Sequence, residues 1–405
     1  MYPILKGLRI VECASFIAAP SCALHLQQLG AEVIRIDPIG GGMDFKRWPV
    51  SPEGHSLYWE GLNKGKRSVA IDLSRPEGRQ LAVDIITAPG ADAGVFITNY
   101  PQKSFLSHAA LCQQRADLIT VRVTGWRDGS PAVDYTVNAA LGLPAMTGHA
   151  EYGDTPVNHV LPAWDLITGA YAAFATLAAE RQRSRTGQGQ EVTLPLSDMA
   201  LACLGHTGQI AEVLSTGDRP RIGNALYGAF GRDFVTADGA RVMVVAITGR
   251  QWTGLVTALD LQTQIAELER TLGAQFTQNE GQRFLHRDRL FLLFEQAIAA
   301  LDLPTLSDKF KAHAVLWSTY HTLHAALQND ARLSLDASLF SLLEHPSGMQ
   351  YPAPGAAATF HASQRQALTR APRLGEHTDA VLADVLALSP TRISQLHDAG
   401  LVASD

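Results

Sequence analysis

The sequence predicts an α/β protein in two parts: a larger domain built on a parallel sheet and a smaller α+β domain. Three observations carry this. Strand-like and helix-like stretches alternate through the first half of the chain. At 405 residues, 46% of them hydrophobic, the chain is longer than one compact core accommodates. After about Gly217 the composition changes, and a stretch dense in Gly, Pro and Arg (GDRPRIGNALYGAFGRDF) reads as a linker.

The first element is a βαβ unit. Leu8–Glu12 (LRIVE) reads as a strand, Pro20–Leu29 as a helix and Glu32–Ile36 (EVIRI) as a second strand. Pro20 suits a first helical turn and Gly30 a helix stop. Asp37 closes the second strand, where a Rossmann dinucleotide site places the acid that holds a ribose. The turn after the first strand, CASFIAAP, contains no glycine, and that fingerprint needs glycines so that backbone can approach a pyrophosphate. The expectation is a Rossmann-like topology without its nicotinamide site. Further strands are expected at Ser68–Asp72, Ala93–Ile97, Leu118–Val123 and Glu191–Leu196, and helices at Pro76–Ile86 and Pro162–Glu180. The smaller domain has its own strand (RVMVVAI) and amphipathic helices such as Arg289–Leu301. The tail after about Ala326 is compatible with a third unit or with a return to the first domain.

Bulk properties exclude several classes. A formal net charge of -6 with no basic patch argues against nucleic acid. The short cluster Lys64, Lys66 and Arg67 suits an anion of nucleotide size instead. Cys13, Cys22, Cys112 and Cys203 match neither a metal knuckle nor a redox pair, and read as reduced thiols of a cytoplasmic protein. The start MYPILKGLRIVE has no signal-peptide pattern, and no apolar run reaches the roughly 18 residues of a membrane span. There is no Walker A loop, no G-x-S-x-G elbow and no H-E-x-x-H. The histidines show no ligand spacing, so no metal site is expected.

Asp165 stands between Trp164 and Leu166 at the start of an apolar, alanine-rich helix. From the residues alone a cap or dipole partner is the commoner role for such an acid. The functional alternative is a partly desolvated carboxylate acting as a covalent nucleophile.

Motifs along the whole chain resemble the class III, formyl-CoA transferase-like, CoA-transferases. LKGLRIVECASFIAAPSCALHLQQLGAEVIRID is similar to that family's first βαβ unit. NKGKRSVAIDLSRPEG and the later ITNYP are similar to its CoA-receiving region. WDLITGAYAAFATLAAERQRSRTGQGQEV is similar to its catalytic helix, and APRLGEHTDAVL to its C-terminal signature.

The residues place a linker over 217–233 and a small domain over 234–325, and the resemblance implies that residues 1–216 and a return over 326–405 together build the large domain. It also implies a homodimer of interlocked subunits. Asp165 falls on the catalytic aspartate. Contacts to CoA would fall on Phe16, Ala18, Arg67, Leu73, Asn99, Tyr100 and Lys103. No cofactor is implied beyond coenzyme A as part of an acyl-CoA substrate.

Departures narrow the reading. Asp134 is kept, but Val133 stands where the family's racemases have a histidine, and without that base proton removal beside the thioester is hard. Asn138 stands where many transferases have glutamine. The glycine run that shields the intermediate in formyl-CoA transferase is missing, and Tyr227–Phe234 is the candidate for a related position. The stretches DPIGGGMDFKRWPV, DYTVNAALGLPAMTG, NHVLPAWD and GNALYGAFGRDF resemble a subgroup that moves CoA between the two carboxyls of mesaconate. In such an enzyme Arg47, Asn138, Tyr227 and Arg232 are the candidates for substrate contact. The helix N-terminus would keep Asp165 ionised, and its N–H groups would steady an oxyanion. The alternatives are an intermolecular CoA-transferase acting on another dicarboxylic acid and a CoA-binding homologue without turnover.

Overall fold

Six strands alternate with helices along the first half of the chain: β1 (Arg9–Cys13), β2 (Glu32–Pro38), β3 (Arg67–Ile71), β4 (Val95–Thr98), β5 (Ile119–Thr124) and β6 (Gln190–Pro195). The helices in chain order are α1 (Ala18–Gln28), α2 (Leu57–Leu62), α3 (Pro76–Thr87), α4 (His108–Cys112), α5 (Asp134–Ala140), α6 (Leu143–Met146) and α7 (Ala163–Thr186). In this computed structural model, which describes residues 1–102 and 105–404, the strands pair in parallel in the order β3-β2-β1-β4-β5-β6. That is the order of a doubly wound sheet. The short strand Val402–Ala403 adds antiparallel to the β3 edge.

The chain divides into two units. The larger comprises Met1–Leu141, His159–Ala211 and Leu335–Asp405. One of its cores joins Val11, Ile34, Val69 and Phe96 of the strands to Leu81, Ile85 and Ile86 of α3. Val381, Leu382, Leu396 and Val402 from the end of the chain are buried in the same core. Strands covered on both faces read as near-continuous apolar runs, which is why the sequence pattern located them to within a residue or two.

The smaller unit comprises Gly142–Asn158 and Glu212–Ser334. Its antiparallel sheet, β7 (Phe230–Val235), β8 (Arg241–Ala246) and β9 (Leu316–Thr319), packs on an aromatic core of Phe230, Phe234, Trp252, Phe276, Phe294 and Phe310. Two details differ from the sequence reading. The end of the stretch read as a linker is strand β7, because the burial of Phe230 and Phe234 outweighs the local glycine and arginine content. Residues 142–158, read as part of the large domain, belong to the smaller unit. There Gly223 N–H donates to the Gly148 carbonyl (3.0 Å) and Arg221 Nη2 to the Thr155 carbonyl (2.7 Å). Among the described residues no single helix is long and apolar enough to cross a membrane.

Candidate active site

The site is built at the turn after β1 and at the start of α7. Phe16 occupies that turn with φ +68°, a left-handed conformation that costs a bulky residue energy and needs outside support. Asn99, just past β4, supplies it. Ser15 N–H donates to Asn99 Oδ1 (3.1 Å), and Asn99 Nδ2 donates back to the Ser15 carbonyl (2.9 Å). α1 starts at Ala18 and packs against α7. A Cβ on Gly169 would collide with Ser21 Oγ and the Ala18 carbonyl oxygen, so the small residues of α7 set how closely the helices approach.

Beneath this turn lies a buried charge cluster that the sequence reading missed. Arg35 is fully buried and pairs with Glu12 (2.9 Å), Asp37 (2.9 Å) and Asp44 (3.0 Å). Lys66 pairs with Glu12 at 2.6 Å and donates to the Pro20 carbonyl at 3.0 Å. Three carboxylates hold Arg35 firmly cationic despite its burial. Asp37 is therefore consumed by Arg35, which agrees with the absence of a ribose-binding role. The signal was present in the strands: a charged residue at a position buried on both faces requires a partner.

Asp44 anchors the loop that carries Arg47. The Ser56 hydroxyl fastens that loop by donating to the Arg47 carbonyl (2.5 Å), and it caps α2 by accepting from Trp59 N–H (3.1 Å). The Arg47 guanidinium then lies over the rings of Phe16 (5.4 Å) and Tyr58 (5.5 Å). The Tyr58 hydroxyl is buried without a hydrogen-bond partner. Burial pushes its pKa up, and the charge of Asp165 contributes in the same direction.

Asp165 lies in the first turn of α7 and is partly buried. It does not cap the helix. The cap is Asp134 at the start of α5, whose Oδ2 accepts from the backbone N–H groups of Trp164 (2.6 Å) and Asp165 (3.2 Å). Its Oδ1 faces His159 Nε2 at 2.7 Å. Among the described residues no hydrogen bond or ion pair reaches the Asp165 carboxylate. Its pKa is pushed up to about 7, first by burial and then by the charge of Asp134, while Arg47 opposes both. From the sequence, the helix N-terminus is expected to help keep Asp165 charged and to offer its N–H groups to an oxyanion, and the structure gives those N–H groups to Asp134 instead. The nucleophile candidate titrates near neutrality.

The remaining predicted residues take varied positions. Asn138 is buried and accepts the Trp164 indole N–H at its Oδ1 (3.1 Å), so it fixes the side chain next to Asp165. Arg67 spans Glu32 (2.6 Å) and Asp384 (2.9 Å). Leu73 and Tyr100 pack at the edge of the core beside β3 and β4. Lys103 lies outside the described residues. Tyr227 and Arg232 belong to the smaller unit. There Tyr227 is covered by Arg219 (3.6 Å), and Arg232 pairs with Glu295 (3.2 Å) in a cleft of about 720 Å³. His159, within the stretch NHVLPAWD, is a site residue that the sequence does not single out. The chain separation from Asp134 hid their pairing.

Comparisons with known proteins agree on the family. The description "CoA-transferase family III" matches residues 5–378. A 2-methylfumaryl-CoA isomerase of Chloroflexus aurantiacus is 50% identical over 405 residues, covering 100% of this chain and 98% of that protein. A human succinyl-CoA:glutarate CoA-transferase is 28% identical over 98% of this chain and 90% of its own length. Among solved structures, a CAIB/BAIF family protein from Brucella suis superposes with a TM-score of 0.75 at 24% identity, covering 95% of this chain and 100% of that one. It supports the mixed α/β fold with its large parallel sheet.

Proposed function

The chain belongs to CoA-transferase family III, and from that premise we propose that it isomerises 2-methylfumaryl-CoA by moving CoA between the two carboxyls of mesaconate. The observation that carries the reading is Asp165: a partly buried carboxylate in a helix's first turn, unpaired, with a pKa raised to about 7. A carboxylate of that basicity is a better nucleophile than a surface aspartate and is still substantially ionised at neutral pH.

In the proposed sequence the Asp165 carboxylate attacks the thioester carbonyl, giving a mixed anhydride and CoA thiolate. The thiolate attacks the aspartyl carbonyl, which forms an aspartyl-CoA thioester and releases mesaconate. Mesaconate attacks that thioester through its other carboxylate, giving a second anhydride and thiolate. The thiolate attacks the mesaconyl carbonyl and frees Asp165. Each step exchanges one acyl bond for another, so no external energy source enters. Holding the free diacid gives it a high effective concentration, and exclusion of water protects the anhydride. The N–H groups of Trp164 and Asp165 are occupied by Asp134, so donors to the oxyanion must come from elsewhere. Among the described residues, Tyr58 and Arg47 are candidates in this unit.

CoA would run along the β1 turn and the β3 and β4 ends, past Phe16, Ala18, Leu73, Asn99 and Tyr100. A homodimer, in the interlocked form implied by the resemblance, fits a single-chain feature. Ile167, Tyr171 and Phe174 make an apolar stripe along α7 that is 38%, 46% and 64% exposed. A cytoplasmic enzyme is the corresponding cellular reading.

Incubation of 2-methylfumaryl-CoA with labelled free mesaconate, combined with hydroxylamine trapping, tests the function. Unlabelled product and an Asp165 hydroxamate are expected. Substantial label in the product would instead identify an intermolecular transferase. Absence of both product and trapped adduct would leave a CoA-binding protein.

A further inference from the structure

We propose that His159 is a positioning residue that acts through Asp134, balancing the negative charge that faces the Asp165 carboxylate and fixing the first turn of the helix that presents it. The inference rests on the reading of Asp165 as the nucleophile. The geometry is continuous. His159 Nε2 meets Asp134 Oδ1 at 2.7 Å, and Asp134 Oδ2 accepts the peptide N–H groups of Trp164 (2.6 Å) and of Asp165 itself (3.2 Å). Asp134 is 1% exposed, so water does little to dissipate its charge. The imidazole is held edge-to-face on Tyr135 (5.5 Å) and tilted against Trp164 (6.5 Å). Both α5 and α7 therefore determine where it sits.

The electrostatic consequence follows from which groups face Asp165. Asp134 approaches from α5, Arg47 from the loop after β2, and the Tyr58 phenol from α2. A bare, buried Asp134 anion opposes ionisation of its neighbour, whereas an Asp134 paired with a protonated imidazole presents nearly no net charge. A cap alone would not need this. Asp134 satisfies the two helix N–H groups with one oxygen and leaves the other for the imidazole.

The pH dependence of kcat/KM for 2-methylfumaryl-CoA isomerisation tests the inference in the intact protein. His159→Asn and His159→Gln keep a hydrogen-bond donor for Asp134 but carry no charge. The acid limb is expected to move up by about one pH unit, which is roughly a tenfold loss on the acid side that largely recovers at alkaline pH. KM should stay within about twofold. Asp134→Asn is expected to move the limb down, and in that background His159→Asn should add no further shift.

A pH-independent loss, an unmoved limb, or the same His159 effect in the Asp134→Asn background would overturn the inference. Circular dichroism selects which neutral His159 variant is folded, and the Asp134→Asn limb gives an independent reading. Failure of the nucleophile assignment looks different: Asp165→Ala would then retain turnover, whatever the His159 variants do.

Discussion

Two groups of buried charge lie close together in the larger unit, and they are arranged in opposite ways. Around Arg35, every carboxylate has a cation. Glu12, Asp37 and Asp44 share the guanidinium, and Lys66 closes the remaining side of Glu12. At the start of α7, Asp134 is satisfied by two N–H groups and an imidazole, while among the described residues the carboxylate of Asp165 beside it has no hydrogen bond or ion pair and feels the charge of Arg47. The first arrangement is a scaffold, in which each carboxylate is matched by a buried cation. The second leaves one carboxylate short of partners, with its pKa raised to about 7. The saturated cluster also serves the other, since Asp44 anchors the loop that delivers Arg47.

The largest expected effect breaks the reactive half of this contrast. Asp165→Ala should lower turnover by at least ~10³-fold while CoA affinity, read by calorimetry, changes only a few-fold. Activity within tenfold of native would remove Asp165 from the mechanism. Next, Arg35→Met leaves three buried carboxylates without their shared cation. Urea denaturation should report a loss of about 3–5 kcal/mol, and a loss below about 1 kcal/mol would mean the cluster is not mutually dependent.

A subtler effect has the opposite sign. The Asp165 pKa is raised in the folded state to about 7 from the ordinary 3.8. Between those values the folded chain holds a proton that the unfolded chain lacks, so this group's contribution to stability falls as pH rises toward 7 and is flat above it. Asp165→Asn has no such dependence. Its stability relative to native should rise by about 4 kcal/mol between pH 4 and pH 8, since a pKa raised from 3.8 to about 7 is worth roughly that much. A relative stability that rises on acidification would reverse the assigned sign. Arg67→Gln is the smallest case. Its pairs with Glu32 and Asp384 are partly exposed, so the cost should stay below about 1 kcal/mol and vanish in high salt.

These two groups also mark how far the sequence could be read. The parallel sheet was legible because its strands are apolar runs bounded by Gly, Pro and Asp, and α7 because of its alanine-rich pattern. Asp165 was singled out only through a motif, since an acid in a first helical turn ordinarily caps. Here Asp134 has that role from a different helix. Its imidazole partner could not be seen at Val133, where the resemblance directed attention. The structure brings His159 in from the loop before α7 instead. Tertiary proximity of this kind leaves no periodic trace. The Arg35 cluster left a fainter one, in charged letters such as Glu12 and Arg35 inside otherwise apolar strands. The extent of the smaller unit is less legible, because Phe230 and Phe234 lie inside a stretch rich in glycine and arginine and residues 142–158 join the unit from a distant part of the chain.

The helix α7 has 24 residues, which at 1.5 Å per residue makes a rod of about 36 Å. Near its far end Arg183 is buried and donates to the carbonyls of Ala93 (2.8 Å) and Gly94 (2.9 Å). Close to the other end, Gly169 rests directly on α1. In mechanical terms this is a lever with a fixed bearing and a fulcrum near its tip. A tilt of only about 2° at Arg183 would displace Asp165 by roughly 1 Å if the fulcrum gave way, enough to spoil an attack geometry. Residues far from Asp165 thereby share in setting the aim of the proposed nucleophile.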